Sequence, residues 1–188
     1  LLFLAYYFFL SAWKSEKYGK RIIFSLLAGI STAMMAITWG GFIYIYLVIA
    51  FSGIIALILR QANKENIFVY TIWIISSFLI MNMFSVRYEL IPMLTSTTTL
   101  IPLSIFGLLI IHLILTETRL KRYISKYDFL KEIPEPVITL TVTAIIGVVF
   151  ATIFFGPYYI TDKISDLTKP LITPVTDRLG VTVAENRQ

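Results

Sequence analysis

The 188-residue chain has no cysteine, a single histidine and few charged residues, only 14% of the total. Without cysteine, disulfides, zinc–thiolate sites and thiol catalysis are excluded. No Asn-x-Ser/Thr sequence occurs, so this stretch offers no acceptor for its own N-glycosylation. Internal repeats and low-complexity linkers are absent too. What is abundant is apolar: 57% of residues are hydrophobic, and the mean hydropathy is +0.82. A water-soluble domain of this size does not normally reach such values, so the sequence is that of an integral membrane protein. It opens on Leu1-Leu2-Phe3-Leu4 and stops at Gln188 in a polar stretch, which reads as a fragment of a longer protein.

Six hydrophobic spans can be marked, at 1–13, 22–38, 42–59, 67–86, 91–115 and 137–156. Most approach the ~20 residues that a helix needs to cross ~30 Å of hydrocarbon. Unpaired backbone amides are not tolerated in lipid, and the alternation of a porin strand is missing. The expected fold class is therefore all-α, a polytopic transmembrane helical bundle with a long external loop. The domain division is 1–156 for the membrane region and 157–188 for that loop.

Basic residues orient the bundle. Lys14, Lys17, Lys20 and Arg21, then Arg60 and Lys64, then Arg119, Lys121, Arg122, Lys126 and Lys131 fall in alternate connections, which makes that side cytoplasmic. Arg87, Lys163, Lys169, Arg178 and Arg187 fall on the other. The net charge of +5 is thereby explained by topology, with no need for nucleic acid. Trp39-Gly40-Gly41, Arg87-Tyr88-Glu89 and the whole of 157–188 then share the external face.

On these residues the chain resembles the catalytic subunit of oligosaccharyltransferase, and its archaeal form most of all. Trp39-Gly40-Gly41 followed by Phe42 is similar to the family's Trp-Gly-Gly-aromatic turn. Arg87-Tyr88-Glu89 resembles a segment with an arginine and nearby glutamate before the next helix. Thr182-Val183-Ala184-Glu185 fits the Thr/Ser-Ile/Val-x-Glu motif. The resemblance implies a GT-C-type membrane glycosyltransferase. It would transfer an oligosaccharide from a dolichyl or polyprenyl (pyro)phosphate carrier to Asn in Asn-x-Ser/Thr of secreted polypeptides at the cell membrane. Mn²⁺ or Mg²⁺ is the implied cofactor, with ligands upstream of this stretch, so that the fragment alone is expected to be inactive.

The same resemblance assigns the candidate residues. Glu185 would be catalytic, accepting hydrogen bonds from the acceptor amide and so holding its nitrogen for attack, the plain alternative being a solvated loop glutamate beside Arg187. Thr182 would pair with the peptide backbone or orient Glu185. Arg87 would meet phosphate oxygens of the carrier, the plain alternative being an interfacial arginine paired with Glu89. Trp39 would border the lipid-substrate groove, the plain alternative being a tight turn in which glycine permits positive φ. His112 lies near the cytoplasmic end of the fifth span, too far from that face for a metal or base role. The Thr95–Thr99 run reads as a small, polar packing surface, or else as the lining of a conduction path. A transporter or channel would normally place ionisable groups near the bilayer midplane, and no span carries a charge at its centre. A non-catalytic scaffold subunit is the third possibility.

Overall fold

The computed structural model describes residues 1–84, 88–117, 133–162 and 164–165. Among them all regular structure is helical: α1 Leu2–Lys14, α2 Tyr18–Thr38, α3 Phe42–Ile58, α4 Lys64–Phe84, α5 Leu90–Thr95, α6 Thr97–Glu117 and α7 Glu135–Phe155. α2, α4, α6 and α7 are long and apolar enough to cross a membrane, and α3 is a shorter apolar helix. Five of the six expected spans correspond to one helix each, and the fifth divides into α5 and α6. Proline sits where a helix tolerates it at the start of α7, since Pro136 occupies the first turn and needs no amide partner there.

The residues form two compact units, Leu1–Thr141 and Val142–Gln188, with the division inside α7. In the first unit α2 packs against both α1 and α4, and α3 against α6. α2 can approach closely because its inward face is built of small residues: Ser25, Ala28, Gly29, Thr32 and Ala36 are all buried. Lipid is as apolar as leucine, so helices in a membrane associate through close packing and hydrogen bonds rather than through water exclusion. Gly29 is the tightest point, where an added Cβ would fall 1.9 Å from Ser76 Oγ and 2.9 Å from the Trp73 carbonyl oxygen. Large apolar side chains such as Phe51, Ile55, Ile75 and Leu79 are exposed, as expected of a surface solvated by hydrocarbon.

An aromatic cluster fills the centre. Trp73 is fully buried, with the rings of Phe9, Tyr46 and Tyr70 at 5.6, 5.5 and 5.1 Å, all in edge-on arrangements. Such geometry places positive ring edges on negative ring faces. Each polar atom in the cluster has a partner. Trp73 Nε1 donates to Thr32 Oγ1 at 3.1 Å, and Thr32 donates to the Ala28 carbonyl. Tyr46 donates to Ser77 Oγ at 3.1 Å, and Ser77 donates to the Ile74 carbonyl. Tyr70 donates to the Pro102 carbonyl at 3.0 Å, joining α4 to α6. At the far end of α6, His112 Nδ1 and Thr139 Oγ1 lie 3.1 Å apart and tie α6 to the first turns of α7.

The fifth expected span is not one helix. Its residues divide at Ser96, whose backbone is extended at φ −65°, ψ 137°, between α5 and α6. The hydroxyl run makes this break. Ser96 Oγ accepts the Thr98 amide at 3.3 Å and its carbonyl accepts the Leu100 amide at 2.9 Å, so that Ser96 caps α6. Thr99 Oγ1 donates back to the Met93 carbonyl, and Thr95 Oγ1 to that of Ile91. Short hydroxyl side chains offer the backbone local partners that compete with a continuous ladder. The Thr95–Thr99 segment is thus a helix junction, with these hydroxyls engaged locally.

In the second unit α7 continues to Phe155, with Phe150 and Phe154 stacked at 4.3 Å. Gly156 follows at φ +91°, in the left-handed region that glycine enters freely. Residues 159–162 are again helical.

Candidate functional site

Chain direction alone sorts the bundle into two ends. Lys14, Tyr18, Ile58, Lys64 and Glu117 mark one, where α1, α3 and α6 finish and α2 and α4 begin. Thr38, Phe42, Phe84, Leu90 and Thr97 mark the other. The residues picked out by resemblance, as far as they are described, cluster at this second end. Arg87, Thr182 and Glu185 lie outside the described residues, as does the 166–188 part of the loop.

The Trp39 turn is built by close contact. Its backbone is extended at Trp39, whose amide still closes α2 by donating to the Met35 carbonyl at 2.8 Å. The indole then folds over the next turn: a Cβ on Gly41 would meet its ring at 1.8 Å. Gly41 itself has φ −70° and Gly40 is not in the left-handed region. Positive φ is therefore not what this turn asks of its glycines. Gly41 is required for space under the indole, whereas a Cβ on Gly40 would meet nothing within 4 Å. Trp39 remains 53% exposed.

Tyr88 joins this turn to a segment distant in sequence. Its hydroxyl donates to the Ala36 carbonyl at 2.9 Å, and its ring meets that of Phe42 edge-on at 5.8 Å. Asn82, near the end of α4, holds the Tyr88 carbonyl through Nδ2 at 3.1 Å. Phe42 in turn packs edge-on against Tyr46 at 5.7 Å, connecting the corner to the aromatic centre. Glu89 is exposed just ahead of α5, makes no side-chain cap, and enters no ion pair among the described residues. Asn82 and Tyr88 were not singled out from the sequence as site residues. The available signal was position, since both lie within a few residues of Arg87 at the same helix end.

Beside the corner runs an apolar groove of about 280 Å³, lined by Ile74, Phe78, Leu103 and Phe106, with Asn82 and Leu90 nearest the turn. Its surface suits a hydrocarbon chain, and its one amide stands towards the corner. Among the described residues there is no group of three or more His, Asp or Glu side chains able to hold a metal ion. The donor set for Mn²⁺ or Mg²⁺ is not formed by them. His112 sits at the opposite end, hydrogen-bonded to Thr139.

Apolar helices with charge only near their ends, packed through small residues and a paired aromatic core, define an all-α polytopic membrane protein. Residues 1–166 match the family described as Oligosaccharyl transferase STT3, N-terminal. The chain belongs to that family, whose members are glycosyltransferases of protein N-glycosylation, using a lipid-linked oligosaccharide donor to modify acceptor proteins. No curated protein matches it, and no solved structure does.

Proposed function

We propose that the complete protein transfers an oligosaccharide from a dolichyl or polyprenyl (pyro)phosphate to the asparagine of Asn-x-Ser/Thr, and that it is of the archaeal type, acting at the external face of the cell membrane. The match over residues 1–166 carries this reading. The apolar groove beside the Trp39–Tyr88 corner supports it, being of the character that a polyprenyl chain requires. In this reading the chain lies along the groove with its phosphate at the corner, where Arg87 binds it as a planar fork of donors. Thr182 and Glu185 engage the acceptor: the carboxylate, with acceptor lone pairs and no donor, accepts hydrogen bonds from the amide N–H groups and positions the nitrogen for attack on the sugar. Mn²⁺ or Mg²⁺, held by residues beyond this stretch, would neutralise the departing phosphate.

The test is transfer to a fluorescent Asn-x-Thr peptide by membranes containing the full-length protein, with extracted lipid-linked sugar and Mn²⁺. Replacing Glu185→Gln is expected to lower the rate by ~10²-fold or more at equal expression. Equal rates for both forms would remove Glu185 from the site.

A further inference from the structure

The opposite end of the bundle holds a larger cleft, of about 470 Å³, that the transfer reaction does not use. It opens where α2 and α4 begin and α6 nears its close. Arg21, Lys64 and Glu65 stand among its lining residues, while Phe68, Ile110 and Leu113 supply apolar walls. Tyr18 stacks on Phe68 at 5.3 Å and forms an aromatic rim. Cations at a mouth and hydrocarbon within is the complement of an anionic amphiphile.

The cations are available. Arg21 is half-buried, and its Nε is fixed to the Ser15 carbonyl. The rest of the guanidinium fork is left to bind oxygen in a set orientation. Among the described residues neither Arg21 nor Lys64 enters an ion pair. Glu65 offsets one charge locally, and Glu16 and Glu117 stand at the same end, yet Lys14, Lys17, Lys20 and Arg60 leave that end net positive. Helix dipoles normally disfavour cations in a first turn, but Lys20 and Arg21 lie in that of α2 and Lys64 opens α4. An anion placed there would relieve both helix starts.

We propose that this cleft binds one anionic phospholipid from the leaflet at the basic end, its phosphate on Arg21 and Lys64 and its upper acyl chain between Phe68, Ile110 and Leu113. Basic pockets between membrane helices recognise lipid headgroups by this combination of charge and apolar depth. The lipid would bridge α2, α4 and α6 where direct packing is open.

Native mass spectrometry of the detergent-purified full-length protein, titrated with phosphatidylglycerol or phosphatidylcholine, tests this without reference to transferase activity. One phosphatidylglycerol is expected to be retained in preference to phosphatidylcholine. Arg21→Gln and Lys64→Gln should each weaken that retention about fivefold, while Arg60→Gln, outside the cleft, should not. Thr71→Trp, filling the cleft, should reduce retention of both lipids. Lys64 is exposed, so its variant decides the matter even where Arg21→Gln fails to fold. Equal retention of the two lipids by the unaltered protein, an Arg60→Gln effect as large as that of Lys64→Gln, or displacement by millimolar inorganic phosphate would each overturn the proposal.

Discussion

The hydroxyl of Tyr88 donates to the carbonyl of Ala36 at 2.9 Å, across 52 positions of sequence. A single side chain thus fastens the segment after α4 to the end of α2. Tyr88→Phe keeps the ring against Phe42 and removes that bond. Its expected effect is a loss of about 1 kcal/mol in stability, read as a lowered thermal midpoint in detergent. Transfer activity should fall more than Tm does if the corner positions the donor phosphate.

Gly41 and Gly40 should respond oppositely to alanine. Gly41→Ala drives the Trp39 indole off its seat, because the ring occupies the space of the new Cβ. Since Trp39 is half-exposed, the ring can swing outward, and the effect is expected as a shift in tryptophan emission with a stability change below about 1 kcal/mol. Gly40→Ala should leave the emission unchanged. The difference spectrum against Trp39→Phe separates this signal from those of Trp13 and Trp73.

Gly29→Ala places a methyl group against Ser76 and the Trp73 carbonyl at the α2–α4 crossing. Overpacking of this kind typically costs ~1–3 kcal/mol. Ser76→Ala removes the nearer obstacle and leaves the carbonyl, so the double variant should recover part of the loss. Non-additivity in the double-mutant cycle is the measurement.

Thr32→Val strands the indole N–H of buried Trp73. In membrane bundles interhelical hydrogen bonds are worth about 0.6–2 kcal/mol, and a loss in that range is expected from thermal unfolding. Thr71→Val is the contrast: its hydroxyl serves only the Ile67 carbonyl of its own helix, and its removal should change stability little.

Metal dependence follows from the proposed reaction. Chelation should abolish transfer by the full-length protein, and Mn²⁺ should restore it. The midpoint of unfolding of this helical region should stay unmoved, because its described residues contribute no metal donor set.

The helices were legible because charge is confined to their ends and connections: residues 22–59 and 90–116 contain no Asp, Glu, Lys or Arg. Such runs have few alternatives in lipid. The break at Ser96 was not legible in the same way. Serine and threonine occur equally on helix-packing faces, and hydropathy averages over a single capping residue. The role of Gly41 was also hidden, since Trp-Gly-Gly reads as conformational freedom until the indole is seen lying over the second glycine. Trp39 was found through resemblance, while Tyr88 and Asn82 emerged from hydrogen bonds that join distant positions. Arg87, Thr182 and Glu185 rest on their motifs alone.

The Ser96 break also fixes how many crossings the fifth expected span contributes. A six-residue helix such as Leu90–Thr95 rises only ~9 Å, against ~31 Å for the 21 residues of α6. The first is an excursion and the second a crossing. Counted so, one traverse separates Leu90 from Glu117, and Glu117 stands at the end of the bundle that holds Lys14 and Lys64. Had the excursion been a second traverse, Glu117 would stand at the end that holds Thr38 and Phe42.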